Sequence, residues 1–211
     1  EDKRGQLFWE YVRLIESKRP LFFLAENVSG ILFNRHNNAF QEILQGFADL
    51  GYNVSYGLLN ANDFGVPQDR ERVIIVGYRT EVGRFFSPPA PSKAKPSLES
   101  AIKDLVGKDV PALDNNYSNP STRIANHEYM VGGFSSMFMS RNRVRTWDQP
   151  SFTIQAGGRH APIHPQAPKM QKIDKDAWVF EPGKESLYRR LTVRECARIQ
   201  TFPDSYEFLY D

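Results

Sequence analysis

The chain has 211 residues, of which 40% are hydrophobic and 25% charged, with 14 Gly and 14 Pro. That balance fits one full domain plus a smaller one, or one elaborate domain, and excludes collagen-like, coiled-coil and fully disordered chains. The 27 basic and 25 acidic side chains leave a formal net charge of +2, too mild by itself to mark a nucleic-acid binder.

No apolar run approaches the roughly 20 residues of a membrane span, and the opening Glu1-Asp2-Lys3-Arg4 does not have the form of a charged-then-apolar leader. The one cysteine, Cys196, excludes an internal disulfide and fits a reducing compartment. A cytoplasmic location with no membrane association is the expectation.

Leu7, Phe8, Tyr11, Leu14 and Ile15 recur at helical spacing up to Pro20, and Leu21 to Ala25 then forms a short apolar run of the kind found in buried parallel strands. A second helical stripe, Phe40, Ile43, Leu44, Phe47 and Leu50, ends at Gly51. Tyr52, Val54, Tyr56 and Leu58 alternate at period two, and Val73 to Gly77 makes a third strand. Helices between strands point to a doubly wound α/β sheet, with the last two strands free to pair antiparallel. The Pro-rich Phe86 to Pro96 segment marks a domain boundary. Pro111 to Lys184 reads as loop-rich and partly β, and Thr192 to Thr201 as a capped helix halted before Pro203. The division expected is 1–86, 87–186 and 187–211.

Three constellations are candidates for chemistry. Glu26, in Glu26-Asn27-Val28, lies at the expected carboxyl end of the first strand, where open α/β sheets bind ligands. Its plainer role is to cap the next turn or pair with a nearby Arg. In Gln68-Asp69-Arg70-Glu71-Arg72 the two arginines share a face if the strand begins there, and present two planar donor forks; otherwise they are an exposed charged strand entrance. Between Met139 and His160, Arg141, Arg143, Arg145 and Arg159 oppose the single acid Asp148. Arg reads guanine bidentately in the major groove, and Gly157-Gly158 permits close backbone approach. Alternating arginines also mark any solvated edge strand. His36, His127, His160 and His164 lack acidic or cysteine partners at metal spacing, so no metal is expected. Cys196 reads as a packed thiol, not a nucleophile.

Taken in order, these pieces resemble the later motifs of DNA (cytosine-5)-methyltransferases. Asp2-Lys3-Arg4-Gly5-Gln6-Leu7-Phe8 is similar to the family's Asp-x-Arg-Gly-x-Leu-Phe block, Glu26-Asn27-Val28 to its Glu-Asn-Val, and Gln68 to Arg72 to its Gln-x-Arg-x-Arg. Arg190 to Glu195, with Arg198-Ile199-Gln200 and Phe202-Pro203, resembles the block after its target-recognition region. Asn126-His127-Glu128-Tyr129, Phe138 to Arg145 and His164 to Pro168 resemble modification methylases that recognise GGCC, so the likeness extends over essentially the whole chain.

The resemblance implies part of a Rossmann-like methyltransferase sheet carrying a smaller target-recognition domain, with 187–211 returning to the catalytic domain. The implied reaction flips a cytosine out of duplex DNA, adds a cysteine thiolate at carbon 6, and passes the methyl group of S-adenosylmethionine to carbon 5. Glu26 would bond nitrogen 3 and the amino group of the base, Arg72 its carbonyl oxygen with Arg70 beside it, and Leu7 would lie against the cofactor. Arg141, Arg143 and Arg159 would read guanines, while Arg145 or Lys169 could touch phosphate. The family's nucleophile lies in a Pro-Cys dipeptide that this chain lacks, and its Gly-rich cofactor turn is absent too. The expectation is therefore the middle and late part of a restriction–modification enzyme, inactive alone: either a piece of a longer protein or one half of a split methylase that a complementing chain with the missing motifs completes. Its cognate restriction endonuclease would belong to the same system without necessarily binding it. A non-catalytic sequence-specific DNA-binding subunit or a remnant is the alternative.

Overall fold

The computed structural model describes residues 3–114 and 118–209, excepting the side chains of residues 3–7 and 35. Contacts divide the chain into two compact units, the first formed by the chain through Asn60 with Glu71–Pro91, the second by Ala61–Arg70 with the chain from Ser92 onward.

In the first unit, α1 (Lys3–Lys18) ends two residues before Pro20. Arg19 closes it in the left-handed region at φ 45°, and its guanidinium bonds the Leu50 carbonyl. α2 (Asn37–Asp49) buries Phe40, Ile43 and Phe47, the stripe expected from the 3.6-residue period. Gly51 then takes φ 79°, the left-handed conformation that ends a helix without a Cβ clash. Three strands form the sheet: β1 (Phe22–Val28), β2 (Tyr52–Asn60) and, defined here as the long third strand, β4 (Glu71–Arg79), in the order β1-β4-β2. β4 is antiparallel to both neighbours, so β1 and β2 run the same way, joined by α2 and separated by β4.

The pleat puts Phe23 on the face carrying Val73, Ile75, Tyr52 and Val54, and this face packs against Ile15, Phe40, Ile43 and Phe47. Each fully buried Phe or Ile there contributes about 1.5–3 kcal/mol. The centre is so tight that a Cβ on Gly77 would lie 2.2 Å from Cε1 of Phe23.

The expectation for Leu21 to Ala25 needs correcting in three respects. The strand runs from Phe22 to Val28, it is antiparallel to its partner, and Phe22 and Leu24 are 60% and 57% exposed. The helices cover only the Phe23 face, and β1 pairs with β4 alone among the described residues. Its continuous apolar run reflects hydrophobic residues on both faces of the pleat.

The second unit is short in regular structure. β3 (Gln68–Asp69) pairs in parallel with β7 (Ser151–Phe152), and β5 (Val110–Pro111) with β6 (Glu128–Tyr129). β8 (Gln171–Asp174) and β9 (Ala177–Val179) form an antiparallel hairpin. α3 (Leu98–Ile102) and α4 (Val193–Ile199) each start with a reciprocal capping box, Ser97 with Ser100 and Thr192 with Glu195. α3 and α4 share the cluster of Leu98, Ile102, Leu105, Leu191 and Ile199. A second cluster joins Phe138, Val144, Ile163, Ala167, Met170 and Tyr188. Gln68, Asp69 and Arg70 of the Gln68 to Arg72 motif and the whole of α4 thus belong to this unit.

Candidate catalytic pair and nucleic-acid interface

Glu26 and Arg72 meet across β1 and β4. In register Val28 faces Arg72 and Glu26 faces Ile74, so both side chains project from the sheet face opposite the helices, one diagonal step apart. Nε of Arg72 lies 2.7 Å from Oε1 of Glu26, and Nη1 donates to the Glu71 carbonyl at 2.7 Å. The Arg72 side chain is 21% exposed and that of Glu26 46%, so the arginine is largely fixed while the carboxyl remains accessible. An oriented carboxyl beside a planar donor fork is suited to the edge of a heterocycle carrying adjacent donors and acceptors. Glu26 does not follow the end of the strand, as the apolar run Leu21 to Ala25 suggests, but lies within β1, two residues before its end.

Arg70 falls between β3 and β4, so the continuous strand face that it would share with Arg72 does not form. Its carbonyl accepts from Ala61 N at 2.9 Å. The residue before it is tied down more firmly. Asp69 receives Nη2 of Arg145 at 2.9 Å on its carboxylate and the Thr153 hydroxyl at 2.7 Å on its carbonyl. The guanidinium of Arg145 lies 4.2 Å over the Phe152 ring.

The other arginines of this region separate into two kinds. Nε of Arg143 donates to the Phe138 carbonyl at 2.7 Å and Nη2 to that of Met137 at 3.0 Å, with the guanidinium 4.7 Å from the Phe138 ring. Burial and the nearby Arg141 charge hold its proton affinity below the usual arginine range. Arg141 and Arg159 are exposed and form no side-chain hydrogen bond or ion pair with the described residues. Arg159 lies on the glycine loop, where Gly157 adopts φ 107°, and borders a cleft of about 250 Å³ with Gly132, Gly133 and Arg190. Arg190 is buried, reaches the carbonyls of Gly133 at 2.8 Å and Gly132 at 3.2 Å, and stacks 4.0 Å over Phe134.

Behind this surface lies a polar network that linear spacing did not reveal. Glu195, fully buried, receives both Nη atoms of Arg189 at 2.9 and 2.8 Å and the Thr192 amide at 2.8 Å. These bonds hold its carboxyl below the usual range despite burial. Arg189 also pairs with Asp109 at 2.9 Å. His164 Nδ1 accepts from Gln166 N at 3.2 Å, so its proton belongs on Nε2, facing Glu195 at 3.6 Å. Burial lowers the His164 pKa to about 4. His127 bridges Thr192 at 2.9 Å and the Leu105 carbonyl at 3.2 Å. The capping box in Thr192-Val193-Arg194-Glu195 is the signal that points to Glu195; its partners lie in loops without periodicity.

Burial and the Glu195 charge push the Cys196 thiol up to about 12, which leaves it protonated and unsuited to nucleophilic attack at neutral pH. The backbone of Leu7 is in α1, but its side chain lies outside the described residues. No cluster of three or more His, Cys, Asp or Glu is placed for a metal among the described residues, and no described helix is long and apolar enough to cross a membrane.

Comparison with known proteins shows the family. The model for C-5 cytosine-specific DNA methylases matches residues 1–211, and the chain belongs to that family. It is 56% identical over 211 residues to the type II methyltransferase M.MthTI of Methanothermobacter thermautotrophicus, covering 100% of this chain and 64% of that protein. It is 51% identical to M.FnuDI of Fusobacterium nucleatum and 50% to M.NgoPII of Neisseria gonorrhoeae, covering 99% and 100% of this chain and 62% of each relative. The chain thus spans somewhat under two thirds of these relatives. Among solved structures, a prophage-encoded DNA modification methyltransferase of E. coli superposes with TM-score 0.62 at 19% identity, over 97% of this chain and 65% of that one. The S. pombe Dnmt2 methyltransferase does so with TM-score 0.51 at 21% identity, over 98% and 63%. These likenesses establish the α/β, Rossmann-like methyltransferase fold.

Proposed function

We propose that the chain carries the base-holding residues and target-recognition region of a type II DNA cytosine-5 methyltransferase acting on GGCC in duplex DNA. The observation that carries this reading is the Glu26–Arg72 pair, assembled from two separate family motifs on one sheet face. Glu26 bonds nitrogen 3 and the amino group of a cytosine flipped from the helix, and Arg72 bonds its carbonyl oxygen, with Arg70 at the same motif. A carboxyl donating at nitrogen 3 offsets charge developing on the ring as a nucleophile adds. Arg141 and Arg159 read guanines with open donor forks, and Arg143 shapes the loop that presents Arg141. In this reading 87–186 forms the recognition domain and 187–211 its connection back to the catalytic part.

S-adenosylmethionine supplies the methyl group when bound. The Leu7 side chain lies outside the described residues, and no Gly-x-Gly-x-x-Gly occurs in the sequence. The cofactor's Gly-rich turn and the nucleophilic cysteine are accordingly contributed from outside these 211 residues, and the chain alone is inactive. The enzyme works in the cytoplasm, on double-stranded DNA, within a restriction–modification system.

The test is transfer of labelled methyl groups. The full-length gene product should label cytosine carbon 5 in GGCC duplexes and not in duplexes with one base pair changed, while the 211 residues alone label neither. Sequence-preferring, salt-sensitive binding without transfer by the full-length product would favour a non-catalytic DNA-binding subunit.

A further inference from the structure

Asp69 is the point where both arms of the recognition segment converge. The arm from Arg141 ends at Arg145, whose Nη2 bonds the Asp69 carboxylate at 2.9 Å. The arm leading to Arg159 begins at β7, whose Ser151 and Phe152 pair with Gln68 and Asp69, and Thr153 adds its hydroxyl to the Asp69 carbonyl at 2.7 Å. Ser151 N also donates to the Pro67 carbonyl at 2.9 Å. The Arg145 guanidinium is held from a second side by Phe152, 4.2 Å beneath it. Immediately after Asp69 comes Arg70, whose carbonyl is fixed by Ala61 N at 2.9 Å.

We propose that Arg145 and Asp69 form a coupling clamp: Arg145 is a positioning residue that locks the two base-reading arms to the strand entrance bearing Arg70, and is not itself a DNA contact. The proposal rests on the methyltransferase reading above and extends it to how recognition is transmitted. Several features favour a clamp over a phosphate contact. The Arg145 side chain is 24% exposed, its charge is already matched by a carboxylate, and its flat face is occupied by a ring. Arg141 and Arg159 have none of these restraints. A planar fork bonded at its edge and stacked on its face has one orientation, which lysine does not reproduce. Displacing this arginine frees β7 and Thr153 to shift against Asp69, and with them the spacing between the readers and Arg70.

The experiment is a double-mutant cycle in the full-length gene product with Arg145→Gln, Asp69→Asn and the double variant, plus Arg145→Lys. Turnover, KM for duplex DNA, the salt dependence of binding and the thermal unfolding midpoint are measured for each. Each single variant should lose turnover on the order of tenfold or more, as displaced positioning groups do. KM should stay within about twofold and the salt slope should not change, since no phosphate contact is lost. The double variant should be no worse than the poorer single one, and Arg145→Lys should not restore turnover. A raised KM with the salt slope reduced by about one would make Arg145 a phosphate contact and overturn the clamp. So would relaxed preference at one base pair, or additive losses in the double variant. The unfolding midpoints keep the two ideas distinguishable. If the parent enzyme transfers no methyl group, the methyltransferase reading fails; non-additive midpoint shifts would still support the Asp69–Arg145 coupling, and additive ones would refute it.

Discussion

Glu26 and Arg72, from motifs at opposite ends of the first unit's sheet-forming sequence, are joined by a 2.7 Å ion pair on the sheet face opposite the described helices. The pairing follows from register alone: antiparallel strands bring a residue on β1 beside one two positions away on β4. An exposed pair of this kind contributes little stability, roughly 0–1 kcal/mol. Such a pair orients its two groups more than it holds the strands together.

That asymmetry makes Glu26→Gln informative. The amide keeps the volume and one acceptor but cannot serve as an acid, so methyl transfer by the full-length gene product should fall about 100-fold or more. The thermal midpoint should scarcely move, and discrimination between GGCC and altered duplexes in binding should remain. Loss of sequence preference in a gel-shift competition would move Glu26 from the flipped base to the recognition surface.

Arg141 and Arg143 are two residues apart and should behave differently when truncated. Arg141→Ala removes no side-chain hydrogen bond or ion pair with the described residues, so stability should change by no more than about 0.5 kcal/mol. It should instead relax discrimination at a single guanine, at a cost of about 1–3 kcal/mol. Arg143→Ala removes hydrogen bonds to two loop carbonyls and a ring contact, and should cost about 1–3 kcal/mol of stability. Urea unfolding beside competition binding on singly substituted duplexes separates the two patterns. If Arg143→Ala leaves the unfolding curve unchanged, its assigned loop-shaping role is lost.

His164 gives the second unit a pH dependence of definite sign. Its ordinary value of 6.5 is lowered to about 4 in the fold, chiefly by burial, opposed by Glu195 and Asp109 and aided by Arg189 and His127. The unfolded chain therefore binds more protons between these values, and stability rises with pH across that window. Its contribution is complete above about 6.5 and is lost as pH falls toward 4, amounting to at most about 3 kcal/mol. In His164→Asn the amide oxygen replaces Nδ1 as the acceptor for the Gln166 amide. This variant should show a flatter midpoint-versus-pH curve between pH 4 and 6.5 than the parent. Glu195 acts lower on the scale: its carboxyl is held below the ordinary value, so its contribution is present above that value and disappears as pH falls through its own lowered one. An unchanged slope in His164→Asn between pH 5 and 6.5 would remove His164 as the source.

What the sequence revealed tracks how local each cause was. The end of α2 at Gly51 and the capped start of α4 at Thr192 depend on a few neighbouring residues, and both are where the sequence puts them. The helical stripe on α2 and the βαβ relation of β1 and β2 likewise follow from periodicity. The interposition of β4 between those strands does not, because pairing order is settled by long-range packing on Phe23 and Ile75. Glu26 and Arg72 were legible as candidates, but their contact depends on register between distant strands. The two roles within the arginine segment were hidden for a different reason. Arg141, Arg143 and Arg145 are chemically identical, and only the loop carbonyls and Asp69 distinguish them. Asp109, Arg189, Glu195 and His164 converge from loops and a helix cap, where neither period two nor period 3.6 operates.

The tightest point of the first unit supplies a prediction about packing. Gly77 lies opposite Phe23 on β1, and a Cβ there would come within 2.2 Å of Cε1 and 2.5 Å of Cζ of that ring. The ring has little room to retreat, because its centroid is 4.4 Å from that of Phe47 and 5.2 Å from that of Tyr52. Gly77 has no positive φ, so the cost of Gly77→Ala is steric and not conformational. Overpacking of this kind costs about 1–3 kcal/mol or more, to be read from the denaturation midpoint of the first unit's transition. Phe23→Leu alone should also destabilise, since it empties the space that the glycine leaves for the ring. Combined, the two changes should recover part of the loss, because the added methyl group enters volume that the shorter side chain vacates. Additive destabilisation would mean that the strand yields elsewhere and that the Phe23 ring is not what requires glycine at position 77.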